Sequence, residues 1–520
     1  MATSRLPSLL ALALVRCSGG GEGTSGETSS TSSTSSISST SASSTTVATD
    51  PPTTTANTTD PPTTGATGTD TSTTSDPVAG TCVQQAGATP GLTWSLICGS
   101  TTMDYFPRVT AIDGGVLVGF DFGNGGAVPG EAALDLGGGP HINHGGGDIL
   151  VGAFDASGTH LWSQQWSDPN GQFFGGLAGL TGDRFILTGA YRDTLTIDGV
   201  SFPVPTVPGD SNSFLAILQG SGKYVTHRLF PRGTVESFVS IIASAGGPSG
   251  EFAITGSFSE TIDFGDGMLV AEDLSDGFVA VYEPDGSFRF VRALTGTSQG
   301  QRGDHVTFAS DGSLAIAGSF FEELDVDDGQ PLSGSGPFLL TLSAAGAPTF
   351  KRSFTGNTGE QYGRTIAVAA NGDLILGGTF LGMINLGGDD LVNLDQDQVE
   401  ETHYDVFVAR FDPQGAHRWS VRLGDFEDDQ VLAVGVGADD RVLAPWSGKT
   451  TGVRVTAIDE LGVTSEPFAA AVSGGSSATF AADGSIYIAG SIDSDIDFGA
   501  GPVANAGATD VWLVRVTPEP

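Results

Sequence analysis

The sequence predicts an all-β fold, a β-propeller, from three observations. A phrase that is clearest at residues 405–420, DVFVARFDPQGAHRWS, recurs along the chain in degenerate copies. The copies are spaced by roughly 50 to 70 residues, a period that suits a four-stranded propeller blade better than a helical repeat. Turn residues separate short apolar runs, and no helical periodicity interrupts them. We therefore expect an array of four-stranded blades over residues 82–520.

Each unit follows one order of elements. An apolar strand such as residues 407–411 is followed by a turn, residues 412–415, in which proline pre-sets φ and glycine accepts a positive φ. An aromatic residue recurs four positions after that glycine, as Trp419 follows Gly415, which predicts packing between neighbouring sheets. A third strand follows an Asn-Gly or Asp-Gly turn, and a short fourth strand such as residues 262–265 ends the unit.

The number of units predicts how the array closes. Starts near residues 148, 213, 276, 337, 405 and 453 mark six units. A last copy at 510–516 stops after one strand, and the folded region opens at 92–96 with the strand that would follow it. We expect these fragments to complete a seventh blade, because pairing the termini removes exposed sheet edges. The short sixth unit, through Trp446, is expected to lack a full outer strand, and six or eight blades are the alternatives.

The repeated phrases also resemble a known family. With DVFVARFDPQGAHRWS, DILVGAFDASGTHLWS and DGFVAVYEPDGSFRF, the chain is similar to the bacterial β-propeller repeat family, sometimes called SBBP repeats, over nearly all of residues 92–516. Proteins of this family are commonly large, secreted or lipid-anchored surface proteins. The resemblance therefore implies a propeller at the cell surface, and it supplies no catalytic residues.

The first 17 residues, MATSRLPSLLALALVRC, resemble a bacterial lipoprotein signal peptide. Arg5 precedes an apolar run too short to span a bilayer, and Leu14 and Cys17 match the box before the lipidated cysteine. Arg16 departs from the family, which has a small residue there. We expect lipidation of Cys17 and a protein anchored at the outer membrane or cell surface. An ordinary secretory signal, giving a secreted protein, and a misassigned start codon are the alternatives.

Residues 18–81 are predicted to be a disordered linker. They consist almost entirely of Ser, Thr, Gly, Pro, Ala and Asp, without Lys or Arg. So little apolar surface cannot offset the entropy of ordering a backbone. With Cys17 as the lipid site, Cys82 and Cys98 remain as an even pair, which predicts a disulfide in an oxidising compartment. Two free thiols are the alternative.

The charge of the chain excludes some partners. The formal net charge is −39, and the whole chain has only three lysines. Nucleic acids need clustered basic residues, as does docking on anionic lipid, so we expect neither and assign membrane contact to the lipid anchor alone. Acidic surfaces favour solubility, and we expect a monomer.

Two groups of residues are candidate metal ligands. His141, His144 and Asp148 lie in a Gly-rich connection where imidazole and carboxylate groups can converge, although a solvated loop explains them as well. Asp493, Asp495 and Asp497 imitate the start of a calcium loop, which makes calcium the one candidate cofactor. The alternative for the second group is a side chain that hydrogen-bonds its own turn, because Asp497 aligns with four other repeat positions: Asp135, Asp263, Asp325 and Asn385.

Phosphate loops, zinc-protease motifs and Cys-His pairings suitable for catalysis are absent from the sequence. We therefore expect a non-catalytic binding or interaction module with a protein or carbohydrate ligand. Loops 121–147, 198–212 and 387–404 would contact the ligand at one face. A hydrolase or lyase acting on extracellular polymer, with its site at the channel mouth, is the first alternative. A structural envelope spacer is the second.

Overall fold

A computed structural model describes residues 80–124, 129–130, 132–168, 170–206, 211–231, 237–272, 274–298, 300–355, 360–393 and 403–518. These residues form strands joined by turns, and none of them forms a helix long and apolar enough to cross a membrane. The predicted signal peptide, Cys17 and the linker up to residue 79 lie outside the described residues.

The described strands form seven large sheets, which we number as blades 1 to 7. The strands of blades 1 to 6 are counted in chain order, and those of blade 7 are counted from Gly475–Phe480, so that its last two strands come from the beginning of the described chain. Blade 1 contains Met103–Ile112, Gly115–Asn124, Asp148–Asp155 and His160–Trp166; blade 2 contains Gln172–Leu180, Arg184–Tyr191, Asn212–Gln219 and Tyr224–Phe230; blade 3 contains Val239–Gly246, Phe252–Phe258, Asp276–Tyr282 and Phe288–Leu294. Blade 4 contains Arg302–Phe308, Leu314–Phe320, Gly336–Leu342 and Pro348–Ser353; blade 5 contains Gln361–Val368, Leu374–Phe380, Asp405–Phe411 and His417–Leu423. All neighbouring strands within these five blades are antiparallel.

The last two blades depart from this scheme. Blade 6 has a first strand in two pieces, and its strands are Asp429–Val431 with Gly435–Val436, Val442–Gly448, Gly452–Ile458 and Thr464–Ala470. Blade 7 combines Gly475–Phe480, Ile486–Ile492 and Asp510–Val516 with Leu92–Cys98 and Val83–Ala86 from the beginning of the described chain. Leu92–Cys98 pairs antiparallel with Asp510–Val516, so residues far apart in sequence share one sheet.

The hydrophobic core is divided among the junctions between blades. Each junction buries its own cluster of apolar side chains, and the cluster between blades 7 and 1 joins Leu96 and Val511 to Val118 and Phe120. The first strands of neighbouring blades also lie against one another. The sequence-based prediction of an all-β propeller is confirmed.

The aromatic repeat position packs between sheets, as predicted. Four of these aromatic side chains lie over the turn glycine of the next blade, and the pairs are Trp94 with Gly158, Phe290 with Gly346, Phe350 with Gly415, and Trp419 with Gly462. The glycines have φ near +80°, so the turn needs glycine both for its backbone conformation and for the approach of the ring.

Two predictions about the strands are wrong. Thr261–Asp263, the predicted fourth strand of a unit, pairs with Met268–Val270 in a separate hairpin outside the blade sheet. The strand that completes each blade is its first, such as Gln361–Val368, whose half-buried positions weaken the apolar signal in the sequence. Blade 6 also has its outer strand, because Thr464–Ala470 pairs with Gly452–Ile458.

Small hairpins follow the second strands of five blades, and we call them wedge hairpins. They are Ala133–Asp135 with Pro140–Ile142, Leu195–Ile197 with Val200–Phe202, Thr261–Asp263 with Met268–Val270, Glu323–Leu324 with Leu332–Ser333, and Met383–Asn385 with Asp390–Val392. In blade 7, Ile496 and Val503 form a bridge at the corresponding place. Blade 6 has only residues 449–451 between its second and third strands, which leaves no room for a wedge hairpin.

Candidate functional site

The wedge hairpins fill the gaps between the outer strands of neighbouring blades. In the hairpin of blade 4, Asp328 pairs with Lys351 on the outer strand of the same blade. The adjacent Asp327 lies 3.4 Å from Arg292 on the outer strand of blade 3. The loops predicted to contact a ligand, 121–147, 198–212 and 387–404, contain parts of these hairpins and so help to pack the blades together.

A cleft of about 480 Å³ lies in the gap between blades 5 and 6, where the wedge hairpin is missing. Blade 5 contributes Leu423 and Gly424 at the end of its outer strand. Blade 6 contributes the rest of the lining: Trp446, Thr451, Arg454, Thr456, Thr464, Ser465 and Glu466. We call this opening the blade 5–6 cleft.

The residues of this cleft differ from those of the other blades. In five blades a glycine of the second strand lies opposite an aromatic residue of the third, in the pairs Gly189–Phe214, Gly256–Phe278, Gly318–Phe338, Gly378–Phe407 and Gly490–Trp512. In blade 6 the corresponding pair is Trp446 and Arg454. Two positions later on the third strand, Thr456 replaces a small or apolar residue such as Ala280 of blade 3.

The wedge hairpin and the third-strand aromatic residue, both missing from blade 6, contact each other in other blades. In blade 3 the ring of Phe264, at the end of a wedge hairpin strand, lies 4.5 Å from the ring of Phe278. In blade 2 the ring of Phe202, on the second strand of its wedge hairpin, lies 5.8 Å from the ring of Phe214. Blade 6 has neither partner of this contact, so its gap is both open and lined by polar groups.

The polar groups of the cleft are only partly satisfied. The guanidinium of Arg454 pairs with Glu466 and lies 5.9 Å from the ring centroid of Trp446. The indole nitrogen of Trp446 donates a hydrogen bond to Thr456 at 2.9 Å. Nε of Arg454 and Oγ1 of Thr451 are buried and have no hydrogen-bond partner among the described residues. Because buried polar atoms are rarely left unpaired, these two atoms need a partner that the described residues do not supply.

The first predicted metal group does not converge. Nε2 of His141 is 2.7 Å from Oγ of Ser163, which turns this ring toward the outer strand of blade 1. The exposed His144 ring lies 4.0 Å from Asp148, whose Oδ2 accepts the backbone N–H of His144 at 2.9 Å. Burial raises the pKa of Asp148 and lowers that of His141. His141 thus contacts the outer strand of blade 1, and Asp148 caps the turn that contains His144.

The second predicted metal group follows the turn-capping alternative. Oδ1 of Asp497 accepts the backbone N–H groups of Gly499 and Gly501 at 2.7 and 3.0 Å. Asp135 and Asp263 make the same two contacts with their own turns. Oδ1 of Asp495 accepts a hydrogen bond from the backbone N–H of Asn505 at 3.1 Å, so Asp495 and Asp497 bind different backbone groups. Within the described part of the chain, which includes Asp493, no group of three His, Cys, Asp or Glu side chains could hold a metal ion.

Buried carboxyl groups recur at the junctions between blades. Asp148, Asp276, Asp405 and Asp510 each begin a third strand and are at most 1% exposed. Asp104, at the junction of blades 7 and 1, has a pKa raised to about 7 by burial and by nearby Asp510. Burial, together with the charges of Asp425 and Asp405, also raises the pKa of Asp429 to about 7. The aspartate that begins the repeated phrase was the sequence signal for the four positions at the start of third strands. The burial of this aspartate was not predicted.

A second polar cluster lies along the first strands of blades 4 and 5 and includes residues just before the first and third strands of blade 5. The hydroxyls of Tyr362 and Tyr404 both donate to Oε2 of Glu360, at 2.8 and 2.7 Å. Burial and the Glu360 carboxylate raise the pKa of both tyrosines. Arg364 stacks on Tyr362 with 4.8 Å to the ring centroid, and its guanidinium lies 3.6 Å from Asp304. We call these residues the inner-strand cluster, and no sequence motif indicated it.

Cys82 and Cys98 are joined by a disulfide bond in the structure, with their Cα atoms 4.1 Å apart. Cys98 ends the strand that pairs with Asp510–Val516, and Cys82 precedes the fifth strand of blade 7. The bond therefore holds together the two N-terminal strands of that blade, which is a structural role.

The sheets and their shared cores define this chain as a β-propeller protein. No family model matches it. The regulatory protein FlaEY of Caulobacter vibrioides is 31% identical over 154 residues, which are 29% of this chain and 16% of FlaEY. The chain thus matches about a sixth of the length of that relative.

Solved structures show distant likeness. The match to the Dos1 propeller covers 80% of this chain and 94% of the Dos1 chain, at 9% identity and a TM-score of 0.39. The match to a structure of puromycin hydrolase covers 76% of this chain and 62% of the hydrolase chain, at 14% identity and a TM-score of 0.34. Because these TM-scores are low, the propeller architecture rests on the strand pairings of this chain.

Proposed function

We propose that this chain is a non-catalytic binding module of the bacterial cell envelope and that its ligand occupies the blade 5–6 cleft. The observation that carries the proposal is the coupled change in blade 6, where a missing wedge hairpin coincides with polar lining residues. Ligand pockets commonly combine an apolar wall with a few convergent polar groups, as Trp446 and Arg454 do here.

The proposal places the propeller outside the cytoplasm. The resemblance of residues 1–17 to a lipoprotein signal peptide, and of the repeats to the SBBP family, supports an outer-membrane or cell-surface location with Cys17 as the lipid site. The Ser/Thr-rich segment would be a spacer between anchor and propeller. A secreted protein without the anchor is the alternative, and in both cases we propose a monomer that binds a protein or a carbohydrate.

The inner-strand cluster supports a second candidate, an extracellular polymer hydrolase or lyase. A carboxylate held by two tyrosine hydroxyls beside an arginine could move a proton to or from a substrate. The residues named in this cluster come from blades 4 and 5 and largely satisfy one another. We therefore rank this candidate below binding.

One experiment separates binding from catalysis and from the spacer role. The full chain is incubated with extracellular polysaccharides and with surface proteins of the producing bacterium, and both the bound fraction and the length of the recovered polymer are measured. Saturable binding with unchanged polymer length is the expected result. Shortened polymer whose appearance requires Glu360 would establish the enzyme, and the absence of any binding would leave the spacer.

The anchor is tested by intact mass spectrometry of protein from the membrane fraction. We expect a diacyl- or triacyl-glyceryl mass on Cys17 and release of the variant Cys17→Ala from the membrane. Unmodified protein recovered from the medium would contradict the anchor and identify the protein as secreted.

A further inference from the structure

The walls of the blade 5–6 cleft indicate that its occupant is polar. An extra hairpin from a partner protein would need the apolar contacts that the wedge hairpins make, such as Phe264 against Phe278. Blade 6 instead presents Arg454 and Thr456 on its third strand and Thr464, Ser465 and Glu466 on its outer strand. An apolar hairpin placed there would bury these groups without hydrogen bonds, at a cost that its own contacts would not offset.

The charges around the cleft indicate that the occupant is uncharged. Among the described residues, Arg454 and Glu466 are the only charged ones that line the cleft, and they pair with each other. Beyond Gly424 the chain continues into Asp425 and Glu427, which would repel an anion. The lining itself offers a cation only Glu466, which Arg454 already pairs.

The unsatisfied atoms define the hydrogen bonds that the occupant supplies. Nε of Arg454 is a donor that needs an acceptor, and Oγ1 of Thr451 can donate or accept. A hydroxyl group meets both requirements, because it donates one hydrogen bond and accepts others. Trp446 and Leu423 form the apolar base of the cleft and are themselves 6% and 8% exposed.

Together these features fit one chemical class. We propose that the blade 5–6 cleft binds an uncharged saccharide of one or two sugar units, an inference that rests on the proposed binding function and names its ligand. The cleft volume of about 480 Å³ lies within the range of small-molecule sites. The saccharide would be either a free oligosaccharide or the end of a polysaccharide chain.

The test titrates the full chain with defined saccharides. Maltose, cellobiose and N,N′-diacetylchitobiose are the neutral probes, and digalacturonate is the acidic probe of similar size. Calorimetry gives the affinity for each probe. We expect at least one neutral disaccharide to bind and digalacturonate not to bind. Parallel titrations with the parent polymer of the bound sugar distinguish chain ends from free sugar as the natural source.

Two variants locate the site. Thr451→Val keeps the shape of the side chain and removes a hydroxyl without a hydrogen-bond partner among the described residues, so stability should be retained while Kd rises about 3- to 10-fold. Arg454→Leu removes the charged donor and should raise Kd about 10-fold or more. The matched control is Arg289→Leu, which breaks a half-buried Arg289–Glu283 pair in blade 3 and should leave Kd unchanged.

The outcomes separate this inference from the proposed function. If the Kd for the saccharide is the same in Thr451→Val, Arg454→Leu and the wild type, the cleft assignment is overturned. The proposed binding function would then still stand. Binding of digalacturonate alone, or of no saccharide while a protein ligand binds, would overturn the saccharide class. Neutral saccharide binding that depends on both residues, yet is followed by cleavage of the sugar, would support the cleft and overturn the non-catalytic function.

Discussion

At the scale of single residues, the buried aspartates at the blade junctions make the free energy of unfolding depend on pH. The pKa of Asp429 rises from 3.8 to about 7 on folding, mainly because of burial, and Asp425 and Asp405 add to the shift. Between about pH 4 and pH 7 the folded protein therefore binds more protons than the unfolded chain. The free energy of unfolding should fall as the pH rises through this window, and Asp104 acts in the same direction.

We expect Asp429→Asn to reduce this dependence. The variant cannot ionise, so its melting temperature should differ less between pH 5 and pH 8 than that of the wild type, and it should be the more stable protein at pH 8. Thermal melts at the two pH values measure the difference. Exposed Asp266→Asn is the control, since it changes net charge equally without touching a junction. Equal pH dependence in all three proteins would contradict the role of Asp429.

The glycines opposite aromatic residues are a second residue-scale feature. A Cβ at Gly378 would overlap the ring of Phe407 and the backbone of Tyr362. Gly378→Ala should therefore lower the free energy of unfolding by about 1–3 kcal/mol, as overpacking in cores does. Gly146→Ala, where a Cβ meets no atom within 4 Å, should change it little. Chemical denaturation measures both values, and similar losses would refute the packing explanation.

Residues were predicted unequally well. The turn glycines and the aromatic position after them follow from local rules of φ and spacing, and the structure places them as expected. The Trp446–Arg454 pair could not be found in this way, because its meaning depends on a comparison between blades that only the strand register supplies.

At the scale of elements, the third and outer strands were easier to predict than the first. Strands such as Asp405–Phe411 are buried on both faces and form continuous apolar runs. First strands such as Arg302–Phe308 mix buried and half-buried positions with polar residues, so their sequences carry little signal. The wedge hairpins were mistaken for blade strands because their short apolar segments, such as Ile262 and Phe264, enter the same core as the blade.

The C-terminal strand should be essential for a cooperative fold. Deleting residues 510–520 removes the strand that pairs with both Leu92–Cys98 and Ile486–Ile492, which would expose two sheet edges. We expect the truncated protein to aggregate or to lose its cooperative thermal transition. Deleting only residues 518–520 is the control and should leave the transition in place. A stable, monomeric 510–520 deletion would contradict closure of the propeller through this strand.

The disulfide should stabilise the same blade. Cys82 and Cys98 are 16 residues apart, and the loop-entropy model assigns roughly 3 kcal/mol to such a cross-link. Replacing both residues by alanine should lower the free energy of unfolding by about that amount. Denaturation with and without reductant provides the check: reductant should destabilise the wild type and leave the double variant unchanged. Insensitivity of the wild type to reductant would mean that the bond is absent or without energetic effect.

At the scale of the whole molecule, charge is the dominant feature. Sixty acidic residues face 21 basic ones, and the net charge of −39 makes the chain repel itself. Local ion pairs such as that of Arg410 with Asp373 relieve only a part of this repulsion. Dissolved salt screens charges over distances of about 10 Å at 0.1 M, so the stability of this protein should depend on ionic strength.

We expect the melting temperature to rise when NaCl is increased from about 10 mM to about 150 mM, because screening weakens repulsion within the folded state. Calcium and magnesium chlorides at matched ionic strength separate screening from specific binding. If the carboxylates of Asp493, Asp495 and Asp497 serve their turns, the two divalent salts should act alike, and a chelator should leave the melting temperature unchanged. A rise specific to calcium that Asp495→Asn abolishes would contradict the turn-capping assignment and place a calcium ion in this loop.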